Sequence, residues 1–441
     1  MKKHFVSHLA LLALLAAPVL AGAQSTDKEF YGRPSYWRPY DQRGINVFET
    51  SKAPDTMLFE GPRVRLGAGF TQTFQSLKHK NSFSTAAADP NRLYPMTPGF
   101  NTASANLNLD IQLADGIRLN VVTYLSSRHH NEAWVKGGYI QFDKLPFKGA
   151  FWNKLMENTT IRIGHTEINY GDQHFRRTDG GQALYNPFIE NYIADAFTTE
   201  IGGEVYYQKN GLFGMVGASN GMIKGNVDSM IKTAQDENVK KSPALYAKGG
   251  FDKSLGDLRV RGTVSVYHNG SSGGNTLYAG DRTGSHYLMA MEKAGGSYSA
   301  NFTSGRFAPG FSKKVDALMV NGFLKFKGVE VFGTYEQAKG RSKTETADRK
   351  MTQLAGDVIY RFGKAENLFA GARYNTVKAA LQGVPQDVKI ERLALAAGWF
   401  LTKNVLLKAE IVDQKYKDFP VADYRNGGKF NGYVIEAVVG F

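Results

Sequence analysis

One feature limits the fold more than any other: apolar and polar residues alternate with a period of two, in run after run. Successive side chains of an extended strand point to opposite faces, so each run defines two different faces. "SANLNLDIQL" sets Ala105, Leu107, Leu109, Ile111 and Leu113 against Asn106, Asn108, Asp110 and Gln112. After the turn "ADG", "IRLNVVTYL" sets Ile117, Leu119, Val121 and Leu125 against Arg118, Asn120 and Tyr124. "LRVRGTVSVY" opposes Leu258, Val260, Val264 and Val266 to Arg259, Arg261, Thr263 and Ser265. Sixteen such runs lie near 63–76, 103–113, 117–127, 133–143, 158–168, 199–209, 211–219, 243–252, 258–267, 315–327, 329–338, 350–362, 368–376, 390–402, 405–415 and 430–441.

A soluble sandwich would show the same alternation, with a dry core on one side and water on the other. One apolar face repeated over some sixteen strands would then need a partner sheet of equal size, whereas lipid supplies that partner to a closed barrel and closure removes the sheet edges. Most runs have the roughly 9 to 11 residues a tilted membrane strand requires. Connections alternate between short turns, such as "ADG", "KNG", "FGKAEN" and "TKN", and longer loops. Short periplasmic turns opposite long outer loops are the layout of an outer-membrane barrel. The expected fold is all-β: a transmembrane, antiparallel, up-and-down β-barrel of about sixteen strands. In this reading "HYLMAM" at 286–291 belongs to a long outer loop, and "FDKLPFKGAFWNKLMENTT" is a long periplasmic turn.

The first residues supply a compartment. "MKKHFVSHLALLALLAAPVLAGAQ" has Lys2 and Lys3, an apolar run and Ala21-Gly22-Ala23, the pattern of a signal peptide over 1–23. Residues 24–61 lack alternation and are expected to form a periplasmic or lumenal leader, with the barrel over 62–441. No cysteine is present, so neither disulfides nor a lipid-modified cysteine are expected. The 48 glycines, 22 tyrosines and 28 phenylalanines suit turns and aromatic girdles. The formal charge is +14, and +12 without Lys2 and Lys3. Export argues against a nucleic-acid partner, which leaves anionic solutes and lipopolysaccharide phosphates to answer that excess.

If the apolar faces meet lipid, the other faces line the lumen. Parity then assigns eleven bases to the inside: Arg65, Arg118, Arg162, Lys248, Arg259, Arg261, Lys325, Arg361, Arg373, Arg392 and Lys408. It also assigns seven acids: Asp110, Glu204, Glu330, Glu336, Asp357, Glu410 and Glu436. Rings of Arg and Lys favour anions, whereas bases paired with acids across the wall would merely keep a pore wet. The segment 165–198 is too long and too aromatic for a surface turn. Folded inward it would narrow the channel and bring Asp172, His174, Arg176 and Arg177 to a constriction; packed on the rim it would not.

Two resemblances add to this reading. "GYVIEAVVGF" resembles the terminal strand of Gram-negative outer-membrane proteins, which implies that Phe441 closes the barrel and that the assembly machinery is a partner. "TTIRIGHTEINYGDQ", "ALYNPFIENYI", "TTEIGGEVYY" and "GLFGMVGASNG" resemble the corresponding region of phosphate-selective porins of the O and P type and their relatives. That resemblance covers about 160–222 well and the rest of the barrel in layout. It implies a sixteen-stranded barrel, a homotrimer and passage of anions through a basic constriction.

The expected function is a passive channel in the bacterial outer membrane for small anionic or polar solutes, without cofactor or metal. A surface-structural or adhesive barrel with a closed lumen is the alternative, its loop 268–314 binding lipopolysaccharide or a protein. A rim hydrolase is the third reading, and the sequence is read as lacking a nucleophile motif for it.

Overall fold

The computed structural model describes residues 33–52, 55, 58–129, 131–225 and 230–441; the expected signal peptide lies outside the described residues. Sixteen long strands follow one another. They are β1 Arg63–Lys80, β2 Ser104–Ala114, β3 Ile117–Leu125, β4 Trp134–Phe142, β5 Thr159–Glu167, β6 Thr199–Lys209, β7 Leu212–Ser219 and β8 Ala244–Leu255. Then come β9 Leu258–Asn269, β10 Lys314–Phe326, β11 Val329–Arg341, β12 Arg349–Phe362, β13 Leu368–Ala380, β14 Asp387–Thr402, β15 Val405–Lys417 and β16 Lys429–Gly440. Each pairs antiparallel with the next, and β16 returns to β1 from Gly69↔Gly440 to Lys80↔Lys429. The two-residue segment Gly99–Phe100 also touches β1. Each of the sixteen alternating runs is a strand, and the sheet is closed.

Exposure follows the alternation. Leu107 and Leu113 are exposed on β2, whereas Asn106, Asn108, Asp110 and Gln112 are buried. On β16, Tyr433 and Ile435 are exposed while Val434, Glu436 and Val438 are buried. Large apolar side chains on the outside of a closed sheet, beside polar ones inside, fit a wall between lipid and an interior that need not be apolar. This architecture places the chain in the bacterial outer membrane. At the terminus the backbone N–H of Phe441 donates to the Ala68 carbonyl at 3.1 Å and the Ala68 N–H returns a bond at 2.8 Å, which completes the seam.

The wall is uneven. β3, β4 and β5 have 9 residues each and β7 has 8, whereas β8 to β16 have 12 to 16. Two local features depart from the expected pattern. The periplasmic turn after β4 contains a helix, α1 Ala150–Met156. In β4 the register jumps from Val122↔Gly137 to Thr123↔Val135, so Lys136 is an extra residue. Such a bulge re-aims a side chain, and Lys136 is buried inside the barrel.

Candidate functional site

Three segments fill much of the interior: the strap 33–49, the loop 168–198 and part of the loop 270–313. An irregular loop carries unpaired backbone groups, which in a water-poor interior need partners. The wall supplies them to 168–198. Lys408 Nζ donates to the carbonyls of Ala183, Asn186 and Phe188 at 3.0, 3.1 and 3.0 Å and pairs with Glu436 at 2.7 Å. Glu410 accepts the Ile189 N–H at 2.9 Å, and Asn375 accepts that of Ile193 at 2.6 Å. Gln353 exchanges two bonds with the Ala194 backbone, at 3.0 and 2.8 Å. Arg373 and Arg392 donate to the carbonyls of Glu190 and Asn191 at 3.0 and 2.6 Å. The loop is thereby fastened to the tall wall, β12 to β16.

The strap crosses the periplasmic end, where the Gln42 N–H donates to Lys403 in the β14–β15 turn at 2.8 Å. Its stem is tied by the Ser35 N–H donating to Asp55 at 2.5 Å. Inside, the Tyr40 hydroxyl donates to Asp110 at 2.9 Å and Asn46 donates to Glu330 at 2.6 Å. Glycines on the inner face of β1 leave room for this packing: a Cβ on Gly67 would fall 2.0 Å from the Tyr40 ring, and one on Gly69 2.6 Å from the Gly181 carbonyl oxygen.

Glu49 holds the strap's far end, 3.0 Å from Lys248 and 2.7 Å from Arg261. Burial alone would raise its pKa, yet Lys248 and Arg261 bring it down to about 2. A carboxyl whose bound pKa is depressed contributes its full anchoring above its free pKa and loses it as pH falls toward the bound one. The strap should therefore loosen between pH 4.5 and 2. Single-channel conductance is expected to rise over that window, and Glu49→Gln to flatten the rise.

Between the strap, the loop and the short wall lies a cavity of about 250 Å³. The wall contributes Asn106 and Asn108 from β2, Arg118 and Asn120 from β3, Lys136 and Tyr139 from β4, Arg162 from β5, and Tyr206 and Gln208 from β6. Facing them are Arg38, Tyr40 and Glu49 of the strap, and His174, Arg177, Asp179 and Gln182 of the loop. Five permanent cations, Arg38, Lys136, Arg118, Arg162 and Arg177, meet three carboxylates, Glu49, Glu167 and Asp179. The carboxylates are engaged: Glu49 by Lys248 and Arg261, Asp179 by Lys136 and Arg177, Glu167 by His174. Arg162 is 3.8 Å from Glu204. Arg38 makes no ion pair among the described residues; it donates to the carbonyls of Gly44 and Phe175, both at 2.9 Å, and stacks 3.7 Å from the Tyr185 ring centre. Burial pulls its pKa down from the usual guanidinium range, but a guanidinium stays charged in a protein. The cavity is a polar, aromatic-lined space whose lining carries more cations than carboxylates, with Asp110 behind it 3.4 Å from Arg118.

The residues singled out from the sequence divide by place. Arg118, Arg162, His174 and Arg177 line the cavity. Asp172 does not; it is buried with Arg261 at 2.8 Å and Lys248 at 2.6 Å. Arg176 is likewise away from it, donating to Asn46 and lying over the rings of Phe323 and Phe332. Arg373, Arg392 and Lys408 point inward but lie beneath the loop. Arg65 pairs with Asp110, Arg259 with Asp252 and Lys325 with Glu366, each at 2.6 Å, and Arg361 with Glu330 at 2.7 Å. Arg38, Glu49 and Lys136 escaped the sequence reading: two lie in a segment without alternation, and the third breaks parity at a bulge. In loop 268–314, the binding surface of the alternative reading, Leu277, Tyr287, Ala290, Phe307 and Phe311 are buried.

Arg177 also joins loops. It pairs with Asp195 at 2.6 Å and Asp281 at 3.0 Å, and Arg306 meets the same two acids at 3.1 and 2.5 Å. The sequence reading passed over Gly217-Ala218-Ser219-Asn220-Gly221, which does have the G-x-S-x-G spacing. Ser219 sits at the end of β7, donating to Glu200 and accepting the Gly221 N–H at 3.1 Å. Among the described residues it has no hydrogen bond to a histidine, as a nucleophile would need.

The fold is similar to that of an anion-selective porin from Comamonas acidovorans, with a TM-score of 0.51 and 12% identity over 86% of this chain and 100% of that one. OmpT, an outer membrane protein of Vibrio cholerae, gives 0.48 at 10% identity over 87% of this chain and 99% of that one. The outer membrane channel DcaP of Acinetobacter baumannii gives 0.47 at 13% identity over 86% and 98%. No protein-family model and no curated protein sequence matches the chain. At these identities the likeness is one of fold: an outer-membrane barrel.

Proposed function

We propose that this chain is a passive outer-membrane channel, and that small solutes, preferentially anions, cross it through the off-centre cavity beside β2 to β6. The charge balance of that cavity carries the reading. Its lining carboxylates are each engaged by cations, Arg118 and Arg162 face the space with Asp110 and Glu204 beside them at 3.4 and 3.8 Å, and Arg38 faces it with no ion pair among the described residues. Low-dielectric walls focus such a field, and rings of bases favour anions. The anion-selective porin of similar fold is in keeping with this. Phosphate is the finer reading, supported by the resemblance over 160–222, and predicts that millimolar phosphate reduces chloride current. A homotrimer and recognition of the Phe441 strand by the assembly machinery belong to the same proposal.

The absence of cysteine from the sequence makes a direct test simple. Gln208→Cys would place one thiol on the cavity wall. Labelling it with a bulky thiol reagent is expected to remove more than half of the single-channel current in a planar bilayer. A folded barrel that conducts equally well after complete labelling would place the path elsewhere. A folded barrel that never conducts would favour the closed, surface-structural reading, for which the burial of the segment 168–198, all but His174, Phe175 and Asp179, is the supporting observation.

A further inference from the structure

The outer surface changes character with height. On β13 the outward series rises from Leu368, Ala370 and Ala372 to Tyr374, Thr376 and Lys378. On β16 it rises from Val439, Ala437 and Ile435 to Tyr433, Asn431 and Lys429. Tyr374 and Tyr433 are exposed, at the level where aromatic girdles mark the membrane interface. Lysines stand just above them on the side of the long loops.

Strand register brings these lysines together. Lys378 is opposite Lys389, which is opposite Lys417. Lys415 is opposite Lys429, which is opposite Lys80. Two rows of three thus cross the five adjacent strands β13 to β16 and β1. Directly opposed residues hold their Cβ atoms about 5 Å apart, and like charges so placed are destabilising. Compensation from the chain is partial. Glu391 lies 2.5 Å from both Lys389 and Lys417, Asp413 2.6 Å from Lys429, and Asp387 3.2 Å from Lys378. Six ammonium groups share three carboxylates, and Lys80 is exposed with no ion pair among the described residues. On β4, β6 and β8 the residues near the same loop ends differ: Val135, Ile201 and Leu245 are exposed there.

We infer that the two lysine rows bind the phosphate groups of lipopolysaccharide in the outer leaflet, with the acyl chains lying on the apolar belt below. The height, the one-sided placement and the uncompensated charge all fit a phosphorylated lipid headgroup. A lysine near an anionic lipid surface adds about 1 kcal/mol, so removing three should weaken binding by roughly a hundredfold.

The test uses the full folded chain in detergent, titrated with lipopolysaccharide and with the same lipid stripped of its phosphates. The wild type should bind the phosphorylated form at least roughly tenfold more tightly. The triple variant Lys389→Gln, Lys417→Gln, Lys429→Gln should lose that preference, whereas Lys144→Gln with Lys154→Gln, at the periplasmic end, should keep it. Heat-modifiable mobility reports folding, and Lys80→Gln alone, which breaks no ion pair, serves if the triple variant fails to fold. Equal affinity for the two lipids, or unchanged preference in a folded variant, would overturn the inference. The readout is lipid binding, so it stands or falls apart from channel activity.

Discussion

Lys408→Met is expected to detach the loop 168–198 from the wall. The ammonium holds three loop carbonyls and neutralises Glu436, whose other partner is His286 at 2.5 Å. Breaking a buried pair from one side leaves an uncompensated charge and costs about 3–5 kcal/mol. The barrel's ladder of strand pairs does not depend on Lys408, so the loss should fall on the plug. The expected result is a folded barrel with a larger and noisier conductance and greater protease sensitivity within 168–198. Double replacement, Lys408→Met with Glu436→Gln, should recover part of the loss, because it removes the charge that the single change strands. A variant with wild-type conductance and protection would mean that the loop is held by its apolar contacts alone.

Reversing the charge of Arg38 and Arg162 is expected to reverse the ion preference. The two residues face the cavity from opposite sides, the strap and β5, and neither is needed to cap the loop from the tall wall. Arg38→Glu with Arg162→Glu changes the lining by four units of charge, enough to turn five permanent cations against three carboxylates into three against five. The reversal potential under a KCl gradient should then change sign. The equivalent pair on the tall wall, Arg373→Gln with Arg392→Gln, should alter stability and loop protection with little effect on that sign. This contrast separates residues that face the solute from residues that face the plug.

The same contrast shows what the sequence could and could not convey. Parity alone assigns Arg118 and Lys408 to the inside, and both are buried, since strand period and the need to bury polar groups away from lipid are local properties. Which inner-wall residues are then covered depends on where a distant loop settles. Arg162 and Arg392 carry the same signature in sequence, yet one faces the cavity and the other lies beneath Asn191. The aromatic excess of 165–198 signals burial but not which wall it packs against, so Asp172 and Arg176 are turned away from the cavity while His174 and Arg177 reach it. Lys136 is hidden by a bulge, which shifts parity by one residue just where "KGG" relaxes the strand. The strap is the least legible part: Arg38, Tyr40 and Glu49 sit in a stretch without periodicity, and their partners Tyr185, Asp110 and Lys248 are all distant in the chain.

Passage of solutes through the off-centre cavity, as proposed, makes ion selectivity measurable. The most direct measurement is the reversal potential of the purified wild-type protein in a planar bilayer under a KCl gradient. Stable current steps with a potential of the sign set by chloride are the predicted result. Steps with a potential of the sign set by potassium, or a silent bilayer despite heat-modifiable, folded protein, would contradict it.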